Sequence, residues 1–271
     1  MRAEGQGQGL RVSCSQVLSA LSPRPSALAC RLHNRNMHHR IYAPELPASG
    51  EVVVSGEEFH HASHVVRVHE GEEVELFDGR GRSVAGRVSA IGRDEVRIVV
   101  AGEIASREAR IQLTLAMAVI QLEKFELVLQ KATELGVAGI IPLVTDRVEI
   151  RPERYRGKRD RWSKIVFEAV KQSGRDAVPP VSEPMLFDDA VGREGPRIVF
   201  DADAEASPLE PSPPQAMTLF IGPEGGWSER ELVLARGSGC LFRRLGRRRL
   251  RAETAAIVAL ATTAARSGEL D

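Results

Sequence analysis

Two loops in the last third of the sequence carry residue types that could hold a small molecule beside a polyanion. The first is Phe220-Ile221-Gly222-Pro223-Glu224-Gly225-Gly226-Trp227-Ser228. An apolar run ends in glycines, and Ser228 with Glu231 three residues on has the spacing of a capping box that opens a helix. Glycine permits positive φ and lets backbone approach a ligand closely, and ligands of open α/β sheets sit outside the carboxyl ends of strands. The segment matches neither GxxxxGK[ST] nor GxGxxG, so a nucleotide phosphate cradle or a Rossmann site is not supported. The plain alternative is an ordinary tight strand-to-helix turn. The second loop lies in Leu245–Ala255, and Arg243, Arg244, Arg247, Arg248, Arg249 and Arg251 crowd into the nine residues that lead into and through it. Guanidinium groups suit phosphate through their planar, always charged fork. The helix that follows is apolar at every position from Ala255 to Ala261, which predicts burial on all sides, and its small residues point to a subunit interface.

Other chemistry-bearing residues are less directed. A second basic stretch runs Arg147, Arg151, Arg154, Arg156, Lys158, Arg159, Arg161, Lys164, and reads equally as a solvated face or an RNA contact. All seven histidines lie between His33 and His69. His60 and His64 are spaced i, i+4, but no paired Glu or Cys accompanies them, so surface or RNA-facing histidines are expected and no metal. Trp227 reads as a lid packed over the glycines, and Cys240 as a buried strand residue without a role. Cys14, Cys30 and Cys240 are too far apart for a CxxC motif, so no disulfide scaffold is expected and a reducing compartment is.

The elements that must position these loops follow from patterning. The chain of 271 residues is 42% hydrophobic and has 37 basic and 37 acidic residues, so it can bury a large core and no global charge selects a partner. Both signs mixed at 27% charged argue against wholesale disorder, and no apolar run approaches the length of a membrane span. Residues 1–36 read as a transit-like segment or as sequence upstream of a true start at Met37, the latter preferred. Residues 40–106 carry short β-like runs at Glu51–Val54, Val74–Phe77, Ser83–Val88 and Val96–Val100 with glycine turns, the spacing of a small barrel, and Glu57–Val66 could be one short helix. After Arg110 the period changes: strands at Leu113–Val119, Ile140–Val144, Arg197–Asp201 and Met217–Ile221 alternate with helices. One helix is marked by Phe125, Val128, Leu129, Ala132 and Leu135 with Gly136 as C-cap. The other is marked by Trp162, Ile165, Val166, Ala169 and Val170 and ended by Pro179-Pro180. Alternation of this kind predicts an α/β domain with a mainly parallel sheet. A Pro-rich loop (Pro208, Pro211, Pro213, Pro214) separates the last two strands.

IGPEGGWSERE followed by LGRRRLRAETAAIVAL, with QKATELGVAGIIPLVTDR, EAVKQSGRDAVPPV and HRIYAPEL upstream, resembles the RsmE family of SPOUT-superfamily methyltransferases, which methylate N3 of a uridine in 16S ribosomal RNA. The resemblance covers about residues 37–268 in one order. It implies an α/β fold: a PUA-like β-barrel RNA-binding domain (37–106), then a SPOUT domain (107–271) with a deep trefoil knot, assembled as a homodimer. It implies S-adenosyl-L-methionine (AdoMet) as cofactor, resting on Leu219, Ile221, Gly222, Gly225, Gly226, Leu245, Gly246, Leu250 and Thr254. It implies 16S rRNA as partner, within the assembled small subunit, contacted by Arg40, Arg67, Arg147, Gln172 and Arg175. Lys171, Arg249 and Ala252 depart from the residues the family often has at those positions.

N3 of uridine must lose a proton, and the α/β half contains no histidine. Arg175 or Arg251 stabilising charge on the uracil oxygens is the expected catalytic contribution, with positioning supplying most of the rate. A SPOUT enzyme acting on transfer RNA and a non-catalytic RNA-binding protein are the other readings. The compartment is the cytoplasm if Met37 is the start and an organelle if the extension is a transit peptide.

Overall fold

The structure, a computed structural model, describes residues 39–148, 154, 155, 157–205 and 214–270. The extension at 1–36, Arg151, Arg156, and Pro208, Pro211 and Pro213 of the Pro-rich loop lie outside the described residues.

The first five strands are β1 (Arg40–Tyr42), β2 (Glu51–Ser55), β3 (Glu73–Phe77), β4 (Ser83–Ile91) and β5 (Glu95–Ile104). They form one sheet in the order β1-β3-β4-β5-β2, antiparallel except for the β1/β3 pair. Bulges at Ala85/Gly86 and Val88/Ala90 bend β4. All five strands therefore send side chains into one cluster with Phe59 and Ala62, among them Ile41, Val54, Leu76, Val88 and Ile98. The expected barrel is realised as a curled sheet whose edges, β1 and β2, are not paired with each other. The expected short helix is α1 (Gly56–His60) continued by a π-helical turn, His61–Val66, and stopped by Arg67 in the left-handed region.

The second sheet is six-stranded and wholly parallel, ordered β11-β9-β10-β6-β7-β8. Its strands are β6 (Gln112–Ala118), β7 (Gly139–Val144), β8 (Met185–Leu186), β9 (Arg197–Phe200), β10 (Ala216–Ile221) and β11 (Leu241–Arg243). Strand alternation divides the core into two layers. Leu113, Leu115, Met117, Leu219 and Ile221 face α2 (Leu122–Glu134), α3 (Arg159–Ser173) and α6 (Ala252–Arg266). Ala116, Ile141, Val199 and Phe220 face α4 (Phe187–Val191) and α5 (Glu229–Gly237). Both faces are covered, which is why the strands read as nearly continuous apolar runs.

Three details depart from the sequence reading. Helix α3 ends at Gly174, φ +78°, five residues before the prolines. Strand β8 and helix α4 were not foreseen. Helix α6 is not buried all round within this chain: Ala256, Ala259, Leu260 and Ala264 are buried, whereas Ile257 and Val258 are half-buried and Thr254 and Thr262 exposed. Among the described residues no helix is long and apolar enough to cross a membrane.

Residues 174–182 form a strap between the two sheets. Ala177 bridges to Gly79 and Arg80 at the β3–β4 turn, and Val181 bridges to Ile140 of β7. Val178 N–H donates to Gly79 O (2.9 Å), and Ile140 N–H donates to Pro180 O (2.9 Å).

Candidate active site

The glycine loop leaves the carboxyl end of β10 in a conformation its residues require. Gly226 has φ +71° and closes a turn onto Pro223 O (2.9 Å). A Cβ on Gly222 would lie 3.0 Å from Cε2 of Trp227, so the glycine gives the indole room to pack against the strand end. That indole is buried, sits 4.9 Å from the Phe187 ring, and donates Nε1–H to Phe200 O at 2.9 Å. Trp227 is thus a wedge beneath the loop tying it to the end of β9, rather than the expected lid.

Helix α5 starts with the foreseen capping box: Glu231 N–H donates to Ser228 Oγ (3.2 Å), and Ser228 N–H donates to Glu231 Oε2 (2.8 Å). The fully buried Glu231 also accepts from Asp146 N–H through Oε1 at 2.9 Å. Asp146 is gripped in turn by Arg230, which reaches both its oxygens (2.9 and 3.0 Å) and Asp188 (2.7 Å), and by Ser228 Oγ–H (2.6 Å). Arg230 and Ser228 hold the Asp146 carboxyl below the ordinary range. The turn after β7 is thereby fixed against the glycine loop, and Arg147 donates to Gly225 O at 3.2 Å.

Glycine loop, arginine loop and the end of β9 meet in a cleft of about 820 Å³. Ile221, Gly222, Gly225, Gly226, Leu245 and Leu250 line it, as do Arg147 and Arg251. Three further residues expected at the cofactor do not: Leu219 is buried one layer below, Gly246 lines a neighbouring apolar pocket of about 370 Å³, and Thr254 is exposed on the first turn of α6. The sequence reading missed Asp201, Asp203, Glu224, Glu229 and Arg236 of the lining. The signal available for Asp201 and Asp203 was their place just past the carboxyl end of a parallel strand. The side chains of Arg244, Arg247, Arg248 and Arg251 make no hydrogen bond or ion pair among the described residues, and Arg249 has only exposed Asp203 at 3.6 Å. The second basic stretch is partly paired, Arg161 with Glu126 (2.5 Å) and Arg159 with Glu183 (3.2 Å).

Arg40 and Arg175 are placed elsewhere. Arg175 is buried, and its guanidinium donates to Glu108 Oε2 (2.5 Å), Val137 O (2.8 Å) and Thr133 O (3.2 Å). Arg40 donates to Glu75 (2.7 Å), Asp176 (3.0 Å), Arg175 O (2.9 Å) and Val170 O (3.1 Å), and stacks 4.5 Å from the Phe77 ring centroid. Both guanidiniums are engaged within the chain at the junction of the two sheets, and neither lines the cleft. Burial would raise the carboxyls of Glu75 and Glu108, but Arg107 and Arg40 beside the first, and Arg175 with two backbone N–H groups beside the second, hold both below the ordinary range. For Asp176 burial wins and the carboxyl is raised. Gln172 and Arg67 are exposed, neither in the cleft. The rings of His60 and His64 stack at 4.5 Å, and among the described residues no His, Cys, Asp and Glu group could hold a metal.

A cleft rimmed by unpaired arginines beyond the carboxyl ends of a parallel sheet suits an anionic ligand chemically. Residues 107–264 match the RNA methyltransferase domain family and residues 54–101 the RNA methyltransferase PUA domain. The chain is 30% identical to a ribosomal RNA small subunit methyltransferase E of Synechocystis over 91% of its own length and 86% of the relative's. It is 33% identical to that of Mycobacterium bovis, over 81% and 88%. Among solved structures it is similar to a ribosomal RNA small subunit methyltransferase E from Neisseria gonorrhoeae bound to S-adenosyl methionine (30% identity, TM-score 0.77, 84% of this chain and 97% of that one). A Legionella pneumophila methyltransferase in complex with the same cofactor is similar too (34%, TM-score 0.74, 83% and 96%). The chain belongs to the ribosomal RNA small subunit methyltransferase E family.

Proposed function

We propose that the protein transfers a methyl group from AdoMet to N3 of a uridine in small-subunit ribosomal RNA. The observation that carries this reading is the cleft in which a glycine loop and an arginine loop meet beyond the ends of β9 and β10, in a chain of this family. The cleft fits the cofactor chemically. Glycine backbone at 222, 225 and 226 is open to a ligand, apolar Ile221, Leu245 and Leu250 offer a surface for an adenosine, and 820 Å³ is ample for AdoMet beside a nucleotide base. Leu219 supports that floor, and Gly246 and Thr254 complete the cofactor set at its margin. Bound AdoMet supplies an electrophilic methyl group.

This chain's residues align and shield the reacting atoms. Arg251, unpaired at the cleft, is the group for charge developing on the uracil oxygens. Arg147 and the arginines of the second loop hold phosphate, and Arg67 and Gln172 extend that contact outward. Arg40 and Arg175 are positioning residues that lock the β domain onto the catalytic half. The domain limits are 37–106 and 107–271. The chain ends in a deep trefoil knot, a reading supported by family and by α6 packing on β10 and β6 beside α2, and the half-buried Ile257 and Val258 support a homodimer.

Labelled-methyl transfer from AdoMet to small subunits lacking the modification, followed by nucleoside analysis, tests the reading. Label in 3-methyluridine is expected. Label in transfer RNA instead, or AdoMet binding without transfer to any RNA, would overturn it.

A further inference from the structure

Methylation at N3 leaves a proton to be removed, and the cleft has few groups that can take it. Arginine cannot, and among the described residues no histidine, tyrosine, cysteine or lysine lines the cleft. The proton acceptors of its wall are four carboxylates: Asp201, Asp203, Glu224 and Glu229. Asp203 is 84% exposed and faces Arg249. Glu229 is exposed on the first turn of α5, and Asp201 stands at the end of β9, its backbone N–H tied to Arg243 O. Glu224 differs in two respects. Its backbone belongs to the glycine loop, between Pro223 and Gly225, so its side chain is carried by the segment that holds the cofactor. Its carboxylate is also 29% exposed against 84% for Asp203, and lies 3.7 Å from Lys124 Nζ of α2.

We propose that Glu224 is the general base for the target uridine, an assignment that rests on the uridine-N3 reading above. As the N3–methyl bond forms, the N3–H bond breaks and its electron pair stays with the ring. The proton passes to a Glu224 carboxylate oxygen and from there to solvent. The electron pair of the broken sulfur–carbon bond stays on sulfur, so charge balances without a further reactant.

The test is Glu224→Gln in the full-length protein, with single-turnover transfer to small subunits and AdoMet binding by calorimetry. The expected result is a rate lower by about 10²–10⁴-fold, the usual contribution of a positioned base, with AdoMet affinity within about twofold of wild type. The pH profile separates a base from a merely structural residue. Wild-type transfer should depend less steeply on pH than transfer by the variant. The residual rate of the variant should climb about tenfold per pH unit, as hydroxide replaces the lost base. A variant within threefold of wild type overturns the assignment, as does loss of AdoMet binding, or Asp201→Asn or Glu229→Gln changing the profile in its place. Wild-type protein is assayed first: its failure to label uridine would sink the function and the base together, whereas an active wild type beside an active variant sinks the base alone.

Discussion

Single side chains at the cleft divide into those that build it and those that face a ligand, and substitutions should separate the two. Gly222→Ala would place a methyl 3.0 Å from the Trp227 indole. The ring must shift and its bond to Phe200 O weaken, at a cost of about 1–3 kcal/mol, the usual range for overpacking. A lower melting temperature together with weaker AdoMet binding by calorimetry is expected. Glu231→Ala leaves the N–H groups of Ser228 and Asp146 without their acceptor. Denaturant unfolding should show a loss of about 3 kcal/mol. Arg251→Ala is expected to act differently, lowering kcat by about 10²-fold while leaving the melting temperature alone, since it removes charge stabilisation and no packing. A fall in melting temperature without a fall in kcat would reverse that assignment.

At the scale of elements, the strap and its ion pairs decide whether the two halves stay in register. Arg175→Ala leaves Glu108 without its cation, and such losses cost about 3 kcal/mol. Thermal unfolding should register it, and Arg175→Lys should recover only part, because an ammonium lacks the planar fork whose separate nitrogens reach Glu108 and the two carbonyls. The pH dependence follows from the depressed carboxyls of Glu75 and Glu108. Their stabilisation is fully present above the unfolded glutamate pKa, about 4.3, and is lost as pH falls through their lower folded values. Asp176, raised by burial, acts in the opposite sense and offsets part of this. Unfolding free energy measured from about pH 6 downward should decline below about pH 4, and Glu108→Gln should flatten the decline.

The same strap shows what was legible in the residues alone. Helix α2 was readable because Phe125, Val128, Leu129 and Ala132 share one face and a left-handed Gly136 follows it. The α5 capping box was readable because its partners are three residues apart. The setting of Arg175 was not: it finds Glu108, Thr133 and Val137 from three distant stretches, and no local pattern encodes that. Strand β8 has two residues, too few for a period, and the clamp of Arg230 on Asp146 and Asp188 joins residues 84 and 42 positions apart.

For the whole molecule, zero formal net charge conceals a strongly polar distribution, with unpaired guanidiniums gathered at one cleft. RNA affinity should therefore fall steeply with salt despite neutrality. Each of Arg248→Ala and Arg249→Ala should reduce the slope of log affinity against log salt by about 0.7–0.9. Equal slopes for wild type and both variants would place the RNA elsewhere.

The wedge beneath the glycine loop also makes the protein its own reporter. The chain has two tryptophans: Trp162 is sealed in the core among Phe125 and Tyr155, while Trp227 touches the loop that would receive the cofactor. Replacing Trp162 with Phe would leave a single indole emitter at the site. Ligand entry, and the order in which cofactor and RNA arrive, could then be followed by intrinsic fluorescence in a stopped-flow instrument without any attached dye.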